Sequence, residues 1–151
     1  MAPSALPDEV VLPALLRAAR GVYAEEIRRR LAAAGFEDMP RNGSFVLGGL
    51  VNHGGSPSDF IHRLGITKQA AGQLIDTLVL RGYLERQTNP DDRRRMVISV
   101  TERGTAAAGV VRTGVEAIDA ELKRRLSPAE LQGLRTGLAT LSAMGDEAHD
   151  R

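Results

Sequence analysis

Apolar residues recur in threes and fours along most of this chain, and the period breaks where turn-forming residues gather. Leu12, Leu15, Leu16, Ala19, Val22, Tyr23, Ile27 and Leu31 share one side of a helical wheel. They predict a long amphipathic helix over residues 8–34, closed near Gly35. A shorter helix is expected over 41–51, although the adjacent Gly48 and Gly49 weaken it. Ser56-Pro57-Ser58-Asp59 then supplies an N-cap serine, a proline suited to the first helical position and a carboxylate able to bond back to the cap. A third helix starts there, runs to about residue 64 and stops at Gly65. Ile66 turns inward, Thr67 caps, and a fourth helix follows over 68–81 with Ala71, Leu74, Ile75, Leu78 and Val79 on its apolar face.

After Gly82 the period falls to two. Residues 83–88 read as a strand, and Met96, Ile98 and Val100 alternate with Val97, Ser99 and Thr101 to give the return strand. Asn89-Pro90-Asp91-Asp92 between them is turn chemistry, and Arg93, Arg94 and Arg95 project from the hairpin tip. Thr101 caps a fifth helix reaching about residue 126, with Val111, Val115, Ile118, Leu122 and Leu126 as its stripe. Ser127-Pro128-Ala129-Glu130 opens a sixth, carried by Leu131, Leu134, Leu138 and Leu141, with Gly145 and the polar residues 146–151 expected to be disordered.

Two short helices joined at a glycine turn, the second longer and polar at its start, followed by a hairpin, make a winged helix-turn-helix. The fold class is mainly α (α+β): a single domain over 1–151, with a DNA-binding core at 41–101. The helices at 8–34 and 102–144 carry more apolar stripe than so small a core covers, which points to burial against a second copy in a homodimer.

Composition narrows the function. Twenty basic residues against 19 acidic leave a net charge of +1, so charge alone argues for no partner; its placement does. At the start of the fourth helix, the amides near Thr67 favour a phosphate, Lys68 adds a point charge, and Gln69 and Gln73 can present amides to adenine. Ala70, Ala71 and Gly72 allow close approach. At least one of Arg93, Arg94 and Arg95 is expected to reach a minor groove or its phosphates, and another to pair with Asp91 or Asp92 and stiffen the wing. Asp76, on the same helix, would be repelled by phosphates and is expected to tune orientation or receive an intramolecular arginine.

The absence of cysteine excludes disulfides, thiolate metal sites and thiol-based sensing. His53, His62 and His149 lack a metal-ligand spacing, and no nucleotide loop, nucleophile elbow or paired carboxylate site is visible, so neither an enzyme nor a cofactor is expected. No apolar stretch reaches the roughly 18 residues of a membrane span. MAPSALPDEV has no basic stretch ahead of an apolar run, so no signal peptide is expected and the expected location is cytoplasmic.

Three stretches carry a family resemblance: Leu64-Gly65-Ile66-Thr67-Lys68-Gln69, Leu74-Ile75-Asp76-Thr77-Leu78, and Gly82-Tyr83-Leu84-Glu85-Arg86. With Asn89-Pro90-Asp91-Asp92-Arg93-Arg94 and Val100-Thr101-Glu102-Arg103-Gly104, the chain resembles the MarR family of bacterial transcription regulators over nearly its whole length. The family's characteristic wing aspartate, and the arginine two positions on, correspond to Asp92 and Arg94. The resemblance implies a homodimer joined through its terminal helices, bound to an inverted-repeat site in double-stranded DNA, usually as a repressor. It also implies release by a small aromatic or phenolic effector in a crevice between the dimer helices and the DNA-binding lobe. Val100 replaces the family's usual leucine, and Ala70, Gly72 and Gln73 stand where members often carry larger or more polar groups. The competing reading is a winged-helix protein-interaction module without specific DNA binding, since a fold does not fix a function.

Overall fold

A computed structural model describes residues 11–94 and 96–149. Six α-helices and a two-stranded antiparallel sheet follow in the order α1 (Leu12–Ala33), α2 (Gly43–His53), α3 (Pro57–Ile61), α4 (Lys68–Leu80), β1 (Leu84–Thr88), β2 (Met96–Val100), α5 (Glu102–Arg125) and α6 (Pro128–His149). The architecture is a mainly α winged helix-turn-helix with long terminal helices.

Side-chain capping sets several boundaries. The Ser56 N–H donates to Asp59 Oδ2 at 2.7 Å ahead of α3. Thr67 Oγ1 accepts from the Ala70 N–H at 3.1 Å ahead of α4, and Thr101 Oγ1 accepts from the Gly104 N–H at 3.0 Å ahead of α5. At α6 the capping box is reciprocal: Ser127 N–H donates to Glu130 Oε2 at 2.8 Å and Glu130 N–H donates to Ser127 Oγ at 3.3 Å. The Ser127 hydroxyl also donates to Glu130 Oε2 at 2.7 Å, and this bond, followed by the one from the Ser127 N–H, holds the Glu130 carboxyl below its ordinary pKa.

Several expectations shift. The first helix begins at Leu12; the part expected over 8–10 lies outside the described residues. The second starts at Gly43 because Asn42 adopts φ 66° and breaks the helical path, and it persists to His53 rather than ending at residue 51. The third is α-helical only to Ile61, tightening into a 3₁₀ turn over His62–Leu64 before Gly65 at φ 63°. Arg81 closes α4 as its C-cap, and β1 begins one residue after Tyr83. The disorder expected from Gly145 onward is corrected as far as His149, through which α6 continues; the part expected over 150–151 lies outside the described residues.

The core lies where α2, α3, α4 and the start of α5 meet. Val46, Leu47, Leu50, Phe60, Ile61, Leu74, Leu78, Leu84, Ala107, Ala108 and Val111 are buried there with Leu31 of α1. Gly49, which weakened the helix on sequence grounds, has a packing reason: a Cβ there would lie 2.4 Å from the Phe60 ring. Alpha1 packs along α5. Among the described residues α6 packs chiefly on α5 and buries none of its side chains, so Leu134, Leu138, Leu141 and Met144 stay exposed. Among the described residues, no helix is long and apolar enough to cross a membrane.

Candidate nucleic-acid interface

Alpha4 buries Leu74 and Leu78 and turns its opposite side outward. Gln69, Gly72, Gln73, Asp76 and Leu80 recur at helical spacing along that exposed side. Thr67 and Lys68, also exposed, sit at its leading end, where the Thr67 hydroxyl satisfies one of the free backbone donors. Thr67, Lys68, Gln69 and Gln73 therefore occupy one open surface, with Ala70 half-buried beside them. Sequence reasoning left out Leu80, which is 86% exposed at the far end of this stripe.

The wing follows directly. Beta1 and β2 pair with Leu84 opposite Val100, Arg86 opposite Ile98 and Thr88 opposite Met96. Its tip is shaped by two side-chain-to-backbone bonds: Asn89 Oδ1 accepts from Asp91 N–H at 2.9 Å, and Asp92 Oδ1 accepts from Arg94 N–H at 3.0 Å. The described contact between Asp92 and Arg94 thus runs through the Arg94 backbone, leaving the exposed Arg93 and Arg94 side chains projecting from the tip. Arg95 lies outside the described residues.

Helix and wing are tied together by Arg86, whose guanidinium pairs with Asp76 Oδ1. Asp76 therefore receives an intramolecular arginine, supplied by β1. The donor's identity had no local signal, because it lies in the next element.

A second cluster, absent from the sequence reading, joins the α4–β1 junction to α5. The buried Tyr83 donates its hydroxyl to Asp38 Oδ1, and Arg103 donates to the same Asp38 oxygen at 2.9 Å and to Tyr83 Oη at 3.2 Å. The Arg103 guanidinium also lies 4.6 Å from the Tyr83 ring centre and 5.1 Å from that of Phe36. Burial, reinforced by the bond to Asp38, pushes the Tyr83 hydroxyl up to about 12. The Tyr83 hydroxyl, then Arg103, hold the Asp38 carboxyl below its ordinary range. These partners are far apart in sequence and converge at a junction between turns, where periodicity carries no information.

A sequence model of the MarR family matches residues 37–95, from the loop before α2 to the wing tip. The uncharacterized HTH-type transcriptional regulator YfiV of Bacillus subtilis is 34% identical over 109 residues, covering 70% of this chain and 66% of that protein. Over residues 37–95 the chain belongs to the MarR family. MarR-family regulators are winged helix-turn-helix DNA-binding proteins and not enzymes. The transcriptional repressor MprA of Escherichia coli K12 is 28% identical over 97 residues, covering 64% of this chain and 55% of that protein. The chain thus matches about half the length of that first relative. The DNA complex of S. aureus MepR shares the fold, with a TM-score of 0.71 at 19% identity, over 90% of this chain and 99% of that one.

Proposed function

We propose that this MarR-family chain is a sequence-specific transcription regulator, a repressor that binds an inverted repeat in double-stranded DNA as a two-fold homodimer. The observation that carries the reading is the exposed, capped opening of α4, bearing Lys68, Gln69 and Gln73 immediately ahead of an arginine-tipped wing. In this reading residues 41–101 form the DNA-binding core. Alpha4 enters the major groove with Gln69 and Gln73 at base edges, while Thr67 and Lys68 meet phosphate. Arg93, Arg94 and Arg95 reach the flanking minor groove or its backbone, and Asp92 fixes the tip through the Arg94 N–H.

The dimer is supported by apolar surface that one chain leaves open. Leu12, Leu16 and Val22 of α1 and Leu134, Leu138, Leu141 and Met144 of α6 are exposed, on the helices assigned to dimerisation at 8–34 and 102–144. Such a face finds a self-complementary partner in a second copy, and pairing two weak half-sites raises affinity. The DNA complex of MepR, which has the same fold, supports the DNA half of the reading; the repressor MprA supports its sign. Release by a small aromatic or phenolic effector belongs to this reading as what the family resemblance implies.

Selection of bound duplexes from a random pool, combined with the solution mass of the free protein, tests this. An inverted repeat and a mass of two chains are expected. A monomer that enriches no sequence would overturn the reading and favour a protein-interaction module.

A further inference from the structure

Asp76 is an anionic residue in the middle of the surface proposed to face DNA. It shares the exposed side of α4 with Gln69, Gly72 and Gln73, and it is 66% exposed. A bare carboxylate there would be repelled by phosphates. Arg86 changes that balance: its guanidinium engages Asp76 Oδ1, so the pair is neutral overall. The contact also ties the Asp76 side chain to the wing strand, restricting the rotamers it samples.

We propose that Asp76 is a specificity-determining residue that reads cytosine in the major groove. The inference rests on the DNA-binding reading above. With Arg86 on Oδ1, the other carboxylate oxygen is available to accept a hydrogen bond from a base edge. Chemistry then selects the base. An ionised carboxylate only accepts, and cytosine presents only the N4 amine donor in the major groove. Guanine offers N7 and O6 and thymine offers O4, all acceptors that repel a carboxylate; adenine pairs its N6 donor with the N7 acceptor. At 1.5 Å of rise per residue, Asp76 lies about 10 Å along the helix from Gln69, roughly three base-pair steps. Asp76 therefore reads a different base pair from Gln69, and the wing contributes to that reading through Arg86.

The test runs the same random-pool selection on the wild type, Asp76→Ala, Asp76→Asn and Arg86→Ala. Thermal stability is measured for each, and affinities are then taken on the wild-type duplex and its single-base-pair variants. The wild type is expected to show one cytosine-dominated position per half-site. Asp76→Ala loses that preference, on the order of tenfold between cytosine and the other bases, and keeps the remaining positions. Asp76→Asn, whose amide both donates and accepts, shifts the same position toward adenine. Arg86→Ala weakens binding to all duplexes and blunts the cytosine preference without moving it to another base. An unchanged position in Asp76→Ala, or a loss spread evenly over every position, would overturn the proposal. A wild type that enriches no site at all would instead bring down the DNA-binding reading beneath it.

Discussion

Gly104 is the position where a single methyl group tests the packing most severely. It lies in the first turn of α5 with ordinary helical geometry, so conformational freedom does not explain a glycine there. Space does: a Cβ would lie 2.1 Å from the Tyr83 carbonyl oxygen, 2.7 Å from Val100 Cγ1 and 3.1 Å from the Tyr83 carbonyl carbon. Val100 can rotate away, but the Tyr83 carbonyl cannot easily follow. It accepts from the Thr101 N–H and the Thr101 hydroxyl, each at 3.1 Å. Overpacking against fixed backbone costs about 3 kcal/mol, and alanine recovers about 1 kcal/mol of helix propensity over glycine. Gly104→Ala should therefore lose about 2 kcal/mol, lowering Tm by about 4–8 °C for a chain of this size. Calorimetry or circular dichroism at fixed protein concentration and without DNA measures it. Gly72→Ala is the control: nothing lies within 4 Å of its Cβ, so it should gain roughly 0.5–1 kcal/mol. Equal stability of Gly104→Ala and wild type would refute the close docking of α5 on the α4–β1 junction.

The Asp38 carboxyl, held below its ordinary range chiefly by the Tyr83 hydroxyl and then by Arg103, contributes stability that is present above its unfolded pKa of about 3.9. That stability is lost as pH falls through the lower folded-state value, so Asp38→Asn should flatten the acid limb of a stability–pH curve. Arg94→Ala should weaken binding to every duplex alike and lower the slope of log affinity against log salt by about 1 if its side chain meets phosphate. Gln73→Ala should instead change preference among sites by about 1–3 kcal/mol, checked on single-base-pair variants. Leu138→Glu, on the exposed face of α6, should shift the solution mass toward one chain at micromolar concentration, read by ultracentrifugation.

What could be read in the chain was whatever local chemistry determines. Thr67, Thr101 and the Ser127–Glu130 box mark helix starts by bonds spanning three residues, and all three lie where the spacing placed them. The alternation of Met96, Ile98 and Val100 likewise gave the return strand its bounds. Boundaries moved where backbone conformation overrode side-chain type, as at Asn42 and in the 3₁₀ turn after Ile61. Gly145 resembled a helix end because glycine is a weak helix former, yet one glycine in a long helix costs only about 1 kcal/mol. In the candidate interface, the exposed face of α4 was legible because it is the complement of the apolar stripe. The Asp76–Arg86 pair and the Asp38–Tyr83–Arg103 cluster needed three dimensions, since each joins elements whose approach depends on the packed core.

The central claim is that paired copies of α4 and the wing grip duplex DNA through several phosphates at once. Affinity for the selected duplex, measured as salt is raised from about 50 to 200 mM, tests it most directly, because each neutralised phosphate releases counterions. A loss of about 10³-fold or more over that range is expected. A flat response, or no binding even at the lowest salt, would contradict the account.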